Sequence, residues 1–374
     1  MAGEASQREL LSPPYVFMLA LAVGGTLRAG WALMSPMDQD VGVFYASARA
    51  WWDGAPLYSG HVYANLNPPL FVLLWTPLAL IPVSVAVWIW TGLGAVSLGL
   101  TLREMKRGLR WDRGTVIRVL IGLLATLPAQ IAWAEGQVTW VLLYPLTKAW
   151  RFARDGRPVM AGAWLAPAIA VKPILALTPL VLGFPILVTA GALSAALTLI
   201  GMAVTGPQPW HDWLATTGTV TWISRPDNVA VWGLLARSLG ASFYGSYRVT
   251  DFPAWAVLMG MGAGGAVAYM ATRANDLDRR WVLAGLFTIA LSPLGWLYYL
   301  PLFLAPFMAV LHRPHASNWL RAGFALLLIP MQAIAPTVGH PLAYAIAGSV
   351  YSVAVLCFII GVNRDAAEQP HLDD

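Results

Sequence analysis

Residues 37–69 read MDQDVGVFYASARAWWDGAPLYSGHVYANLNPP, a polar stretch that follows the first long apolar segment. Within it Val41, Phe44, Tyr45, Ala48, Trp51 and Trp52 recur at helical spacing, while Asp40, Arg49 and Asp53 fall on the polar side. That pattern predicts a short amphipathic helix, stopped at Gly54 and followed by turn-rich sequence. Tryptophan suits the membrane boundary, where the ring is buried and its N–H stays wet. The acidic pair Asp38 and Asp40 is thereby expected at a membrane surface.

The composition around this stretch agrees. Hydrophobic residues make up 58% of 374 positions, charged residues 11%, and the mean hydropathy is +0.63. These values indicate an all-α polytopic membrane protein. The N-terminus lacks a basic region ahead of a short apolar core, so the first apolar segment is expected to remain as a span. The single cysteine, Cys357, lies inside the last apolar run and leaves no disulfide or cysteine-based metal site. The net charge of +5 has a topological cause and is not read as a nucleic-acid footprint.

Twelve spans are expected, at about 14–34, 83–102, 114–133, 138–150, 158–171, 174–186, 187–204, 252–271, 281–296, 299–312, 319–335 and 341–362. Leu70 to Ile81 is a dozen residues between two prolines, too short to cross, and is expected as a re-entrant or surface helix. That choice puts Arg103, Lys106, Arg107, Arg110 and Arg113 inside. Lys148, Arg151, Arg154, Arg157, Arg273, Arg279, Arg280, Arg313 and Arg364 follow, so about 17 of the 23 basic residues face the cytoplasm, as the positive-inside rule requires. The chain reads as one domain, 1–374, with a first outer loop at 34–82, a long outer loop at 205–251 and a disordered cytoplasmic tail at 363–374.

The same topology sends the unusual polar residues outward. Lys172, in AIAVKPILALTP, either snorkels at a span end or meets an anion, for which a phosphate is the natural partner. Arg28 presents the same choice. The 205–251 loop carries Trp210, His211, Trp213, Trp222, Arg225, Asp227, Asn228, Arg237 and Tyr244, a mixture that either stacks on sugars and grips phosphate or caps the bundle in the headgroups. Glu135 and Gln137 flank the turn residue Gly136, and Asn67 precedes two prolines, so both sites also have a plain turn explanation. Asp40 is the leading candidate for a general base, with N-capping as its structural alternative; Asp38 suits the cap if Asp40 is the base. GxxxxGK[ST], HExxH and GxSxG are absent, and six scattered histidines give no metal spacing.

Asp40, Phe44, Trp52, Gly54, Pro56 and Tyr58 fit the pattern D-x(3)-[FY]-x(6,7)-W-x-G-x-P-x-Y, followed by NPPLF and PLALIP. With GQV at 136–138, AGAWLAPAIAVKP at 161–173, NVAVWGLLAR at 228–237 and LSPLGWLYYLPL at 291–302, the chain resembles glycosyltransferase family 87. The resemblance implies a GT-C membrane fold and transfer of a hexose, typically mannose, from a polyprenyl-phosphate carrier to a glycan or glycolipid outside the cytoplasmic membrane of a bacterium, with inversion. It makes Asp40 the base. Where the family often has histidine after SPxSW, this chain has Tyr298 and Tyr299, and Gly295 replaces the serine.

On this basis Lys172 and Arg237 are expected to hold the donor phosphate. Asp38, Tyr58, Asn67, Glu135, Gln137, Asn228, Trp296, Tyr298 and Tyr299 are expected to contact sugar or acceptor. No cofactor is expected, because fixed cations can stabilise the leaving phosphate. The expected partners are the lipid-linked donor, the acceptor and membrane lipids, not nucleic acid. Another lipid-linked sugar such as arabinofuranose remains open, as does a lipid-sugar transporter, although paired halves are not visible.

Overall fold

The structure is a computed structural model, and it describes residues 13–58, 65–242, 247–313, 316–338 and 340–367. The amphipathic pattern of the opening stretch forms a helix, Asp40–Trp52, that stops where Gly54 turns with φ +67°. Val41, Phe44 and Ala48 are buried on one face, with Phe44 edge-on to Phe71 at 4.8 Å. Trp52 is half exposed and donates from Nε1 to the Thr76 carbonyl (2.7 Å), pinning the helix to the 69–80 segment. That segment contains an α-helix of only seven residues, Pro69–Trp75, and a 3-10 turn, Leu78–Leu80, so it does not reach across a bilayer.

The described residues are helical throughout, with two isolated β-bridges as the only strand-like pairing among them. The helices used below are α1 (Pro13–Ala32), α2 (Asp40–Trp52), α3 (Val83–Gly108), α4 (Arg113–Ala125), α5 (Leu127–Ala134), α6 (Thr139–Arg154), α7 (Pro158–Val171) and α8 (Phe184–Thr205). The second half adds α9 (Val231–Ser238), α10 (Ala254–Arg273), α11 (Leu277–Leu291), α12 (Leu304–Leu311), α13 (Asn318–Leu326) and α14 (Pro341–Ala367).

Among the described residues, α1, α3, α8, α10 and α14 are long and apolar enough to cross a membrane, and α4 with α5 makes a sixth if the bent pair is one span. Their outward faces carry Phe17, Leu27, Trp31, Phe184 and Leu258, each more than half exposed, where a helix facing water would carry charge. The protein is a multi-pass membrane protein. Several other segments expected as spans are short or broken: 174–186 begins as a nine-residue 3-10 helix, 299–312 divides at Phe303 and Leu304, and 319–335 divides after Leu326. Prolines at 173, 179, 301 and 330 account for the breaks, since each removes a backbone donor. The tail expected from Asn363 is helical as far as Ala367; residues 368–374 lie outside the described set, as does Tyr244.

Two local devices turn the bundle toward its site. The first is the 71° bend between α4 and α5 at Thr126, which is extended and followed at 128 by proline. Such a bend orphans the last carbonyls of α4, and Gln130 answers them, donating from Nε2 to the Leu124 and Ala125 carbonyls and to that of Leu21 on α1, each at 3.2 Å. A Cβ at Gly25 of α1 would overlap the Gln130 side chain, so the small residue permits this docking. The second device is the turn after α5. Gly136 has φ +60°, a Cβ there would lie 2.6 Å from Val41, and its carbonyl accepts from Trp90 Nε1 at 2.8 Å.

Charge sorts the molecule lengthwise. α6 begins at Thr139 beside this turn and ends at Arg154, which pairs with Asp278 at 3.4 Å near the start of α11. Arg313 bridges Asp276 (2.5 Å) and Asp278 (3.3 Å), and Trp150 donates to Asp278 at 2.9 Å. One end is therefore a basic network; α7 leaves it at Pro158 and reaches Lys172 at the other.

Candidate active site

Asp40 is the first residue of α2, where the helix dipole favours a negative group. Its backbone N–H donates to Glu135 Oε2 (3.3 Å) and that of Val41 to the Glu135 carbonyl (3.0 Å), so the Gly136 turn holds the start of the helix. The Asp40 carboxylate accepts from Gln137 Nε2. Gln39 is the N-cap residue and its side chain makes no cap bond, so Asp38 does not take the capping role expected of it; it sits in the preceding 3-10 turn, Pro36–Asp38.

Lys172 stands where α7 loses helical geometry, and it is 8% exposed. Its Nζ donates to Asn67 Oδ1 (2.8 Å) and lies 5.2 Å from the centre of the Tyr299 ring. Asn67 is itself fixed: its N–H and Nδ2 donate to Asn65 Oδ1 (3.0 and 3.1 Å), Asn65 Nδ2 donates to Ser47 Oγ (2.9 Å), and Tyr58 donates to the Asn67 carbonyl (2.8 Å). A chain of bonds thus ties the ammonium to α2, the helix that carries Asp40.

The third wall is the 222–230 loop, which pairs with 293–297: Val229 N–H donates to the Gly295 carbonyl (2.8 Å) and Leu297 N–H to that of Asp227 (2.7 Å). Arg225 Nε meets Asp227 Oδ1 at 3.2 Å. Where the resembling family has serine, a Cβ on Gly295 would overlap the Ile289 carbonyl oxygen and lie 3.0 Å from Ala230 Cβ. Gly295→Ser is expected to lower stability by about 1–3 kcal/mol, as overpacking does, read as a fall in the midpoint of thermal unfolding followed by tryptophan fluorescence.

These walls enclose one cavity of about 1000 Å³ including its opening. It gathers Asp38, Asp40, Asn67, Glu135, Gln137, Lys172, Trp296, Tyr298 and Tyr299 from the expected set. Burial pushes the Asp40 carboxyl up, against the pull of Lys172 and Arg225. Burial, then the Asp40 charge, pushes Glu135 up to about 7. Burial lowers Lys172 to about 8, with Asp40 opposing. A buried acid with raised proton affinity next to buried cations can accept a proton and steady a leaving anion.

Three expected residues lie elsewhere. Arg237 is 1% exposed and outside the lining; it donates from Nη1 to the carbonyls of Arg225 (2.7 Å), Asn228 (3.1 Å) and Ser224 (3.4 Å), and from Nη2 to Ser352 Oγ (3.0 Å). It shapes the loop that carries Arg225, and Arg225 is the second cation of the cavity. Asn228 is fully buried and serves the same loop, donating to the Ile223 and Pro293 carbonyls. Tyr58 orients Asn67 from outside the lining. Arg28 is exposed on α1, and His211 is exposed beside Asp212. Trp222, Arg225, Asp227 and Asn65 also line the cavity, although the sequence assigns none of them an individual role. Their signal is the Arg-Pro-Asp run at 225–227 and the first asparagine of the NLN triplet at 65–67, both of which also read as turns. Among the described residues, no group of three or more His, Cys, Asp or Glu side chains is arranged to hold a metal ion.

Residues 65–297 match glycosyltransferase family 87, well over half of the chain. The chain belongs to glycosyltransferase family 87. The family match takes in Asn65, Asn67, Glu135, Gln137, Lys172, Arg225, Asp227 and Trp296; Asp38 and Asp40 precede it, and Tyr298 and Tyr299 follow it. A relative is the polyprenol-phosphate-mannose-dependent alpha-(1-2)-phosphatidylinositol mannoside mannosyltransferase of Mycobacterium tuberculosis, 25% identical over 347 aligned residues, with 81% of this family 87 chain and 77% of that protein covered. The protein is a membrane glycosyltransferase.

Proposed function

We propose that the protein transfers a hexose, most simply mannose, from a polyprenyl-phosphate donor to a glycan or glycolipid hydroxyl on the outer side of a bacterial cytoplasmic membrane, with inversion at C1. The single observation that carries this is the shared cavity: Asp40, Lys172 and Arg225 line the same space. Asp40 takes the proton of the acceptor hydroxyl as its oxygen attacks C1. The bond from C1 to the phosphate oxygen breaks on the opposite face, and the electron pair leaves with polyprenyl phosphate, whose charge Lys172 and Arg225 receive. Trp296 and Tyr298 stack with ring centres 5.9 Å apart, an aromatic wall of the kind that accepts a sugar face. The donor class is supported by the name of the mycobacterial relative, and the outward site by the basic network at the opposite end. The short helices and 3-10 segments between the five long helices supply the remaining crossings of a GT-C bundle of about 12, with α2 at the membrane surface.

Purified protein given polyprenyl-phosphate-mannose labelled in the sugar, together with a phosphatidylinositol mannoside, is expected to release polyprenyl phosphate in step with labelled acceptor. Label that crosses a vesicle membrane uncleaved would instead make the protein a transporter.

The rate should also carry the titration of the site. Activity rises as the buried carboxylates Asp40 and Glu135, titrating as a coupled pair, lose their protons, and falls above about pH 8 as Lys172 loses its own. Lys172→Arg, which keeps its charge, moves the alkaline limb upward, and Lys172→Met lowers the rate and abolishes that limb. An alkaline limb unchanged in Lys172→Arg would remove Lys172 from the role.

A further inference from the structure

A second cavity lies between α1, α4, α12, α13 and α14, and holds about 1270 Å³ including its mouth. Its walls are apolar, with Met18, Leu123, Phe307 and Phe358 typical of them. The titratable groups in its lining are Arg118, His312 and Arg321, all basic; one carboxylate, Asp112 at the N-cap of α4, is near Arg118 and His312.

The basic groups are gathered at one end. Arg118 lies in the first half of α4, and Thr126, also in the lining, is eight residues on, about 12 Å by helical rise. His312 follows α12, Arg321 is in the first turn of α13, and Leu300 and Pro301 line the other end. His312 adjoins Arg313, which belongs to the basic network with Asp276 and Asp278, so the charged mouth opens at the end of the bundle opposite Asp40.

A dry tube with a cationic mouth fits a ligand with an apolar chain and an anionic head. A soluble anion has no use for the tube, and a neutral lipid has none for the two guanidinium groups, beside which His312, held below its ordinary range by burial and Arg118, serves as a neutral hydrogen-bonding group. Basic pockets between membrane helices hold anionic lipid heads, and guanidinium groups grip phosphate with paired donors. We infer that this cavity binds a membrane phospholipid with an anionic head, its phosphate held by Arg118, His312 and Arg321 and an acyl chain laid along the tube toward Leu300. The competing occupant is the isoprenoid chain of a donor seated at Asp40, because Leu300 and Pro128 adjoin Tyr299 and Ile131 of the first cavity. Such a chain carries no charge to match the basic mouth.

Native mass spectrometry of the full chain, delipidated and offered phosphatidylglycerol, phosphatidylcholine or polyprenyl phosphate, tests this. Phosphatidylglycerol is expected to be retained over phosphatidylcholine, and Arg118→Gln with Arg321→Gln to weaken that preference by roughly tenfold for each charge-assisted hydrogen bond removed. Sugar transfer in neutral detergent stays unchanged in the double variant. Gly122→Leu fills the cavity while leaving the basic groups in place, and it too should displace phosphatidylglycerol, which decides the matter if the double variant fails to fold. Phosphatidylglycerol retained equally by wild type and both variants overturns the assignment. Loss of polyprenyl phosphate alone in Gly122→Leu also overturns it and gives the cavity to the donor chain.

Discussion

Asp40→Asn is expected to lower sugar transfer by roughly 10²–10⁴-fold, the contribution of a positioned general base, while leaving donor binding near its wild-type level. The substitution is nearly isosteric and keeps an acceptor oxygen for Gln137, so the geometry of the cavity survives. What it removes is the negative charge that faces Lys172 and, with it, the ability to carry away the hydroxyl proton. Burial sharpens the contrast, because the Asp40 carboxyl already sits above its ordinary range. Single-turnover transfer and equilibrium binding of polyprenyl-phosphate-mannose, measured on the same preparation, separate the two effects. Transfer at the wild-type rate would move the base elsewhere, and Glu135, whose Oε2 lies 3.3 Å from the Asp40 amide, would be next to examine.

Arg237→Met is expected to fail in a different way, by loss of the fold around the 222–230 loop. The guanidinium serves three backbone carbonyls, and Tyr344 also donates to one of them, that of Ser224, at 2.9 Å. The Arg225 carbonyl keeps the Asn228 N–H as a donor at 3.0 Å, and the Asn228 carbonyl loses the Arg237 donor. At about 1–3 kcal/mol for a buried acceptor left unmet, the Asn228 carbonyl alone sets the loss at about 1–3 kcal/mol, a large share of the stability of a single fold. Thermal unfolding in detergent reads it directly, and Arg237→Lys should not restore it, since one ammonium cannot reproduce the fork. Arg225→Met serves as the contrast: it should fold and show a raised KM for the donor. A stable Arg237→Met with a raised donor KM would instead return Arg237 to the phosphate.

The different fates of Asp40, Lys172 and Arg237 show what the sequence carries. α2 and its stop at Gly54 were legible because amphipathic spacing and a glycine at positive φ are local. The gathering of Asp40, Glu135, Gln137 and Lys172 was legible in part, since outward topology confines polar groups to one face. Which cation enters the cavity was not legible: Arg225 in the 222–230 loop and Arg237 in the last turn of α9 lie twelve positions apart, and the choice depends on the pairing of 227–229 with 295–297. An arginine at the end of an apolar helix reads alike whether it holds a substrate or a carbonyl. Helix lengths suffered likewise, because the interior prolines break segments that hydropathy alone reads as continuous.

The bonds from Lys172 through Asn67 and Asn65 to Ser47 make the ammonium and the carboxylate passengers on one rigid frame. Any tilt of that helix as a lipid slides in carries both groups together, and their spacing is inherited from the fold instead of being set anew at each turnover. Adaptation to longer or bulkier sugars is therefore left to Trp222, a half-buried aromatic of the lining with no part in the proton or phosphate steps, and that position is the place to graft altered substrate preference without disturbing the chemistry.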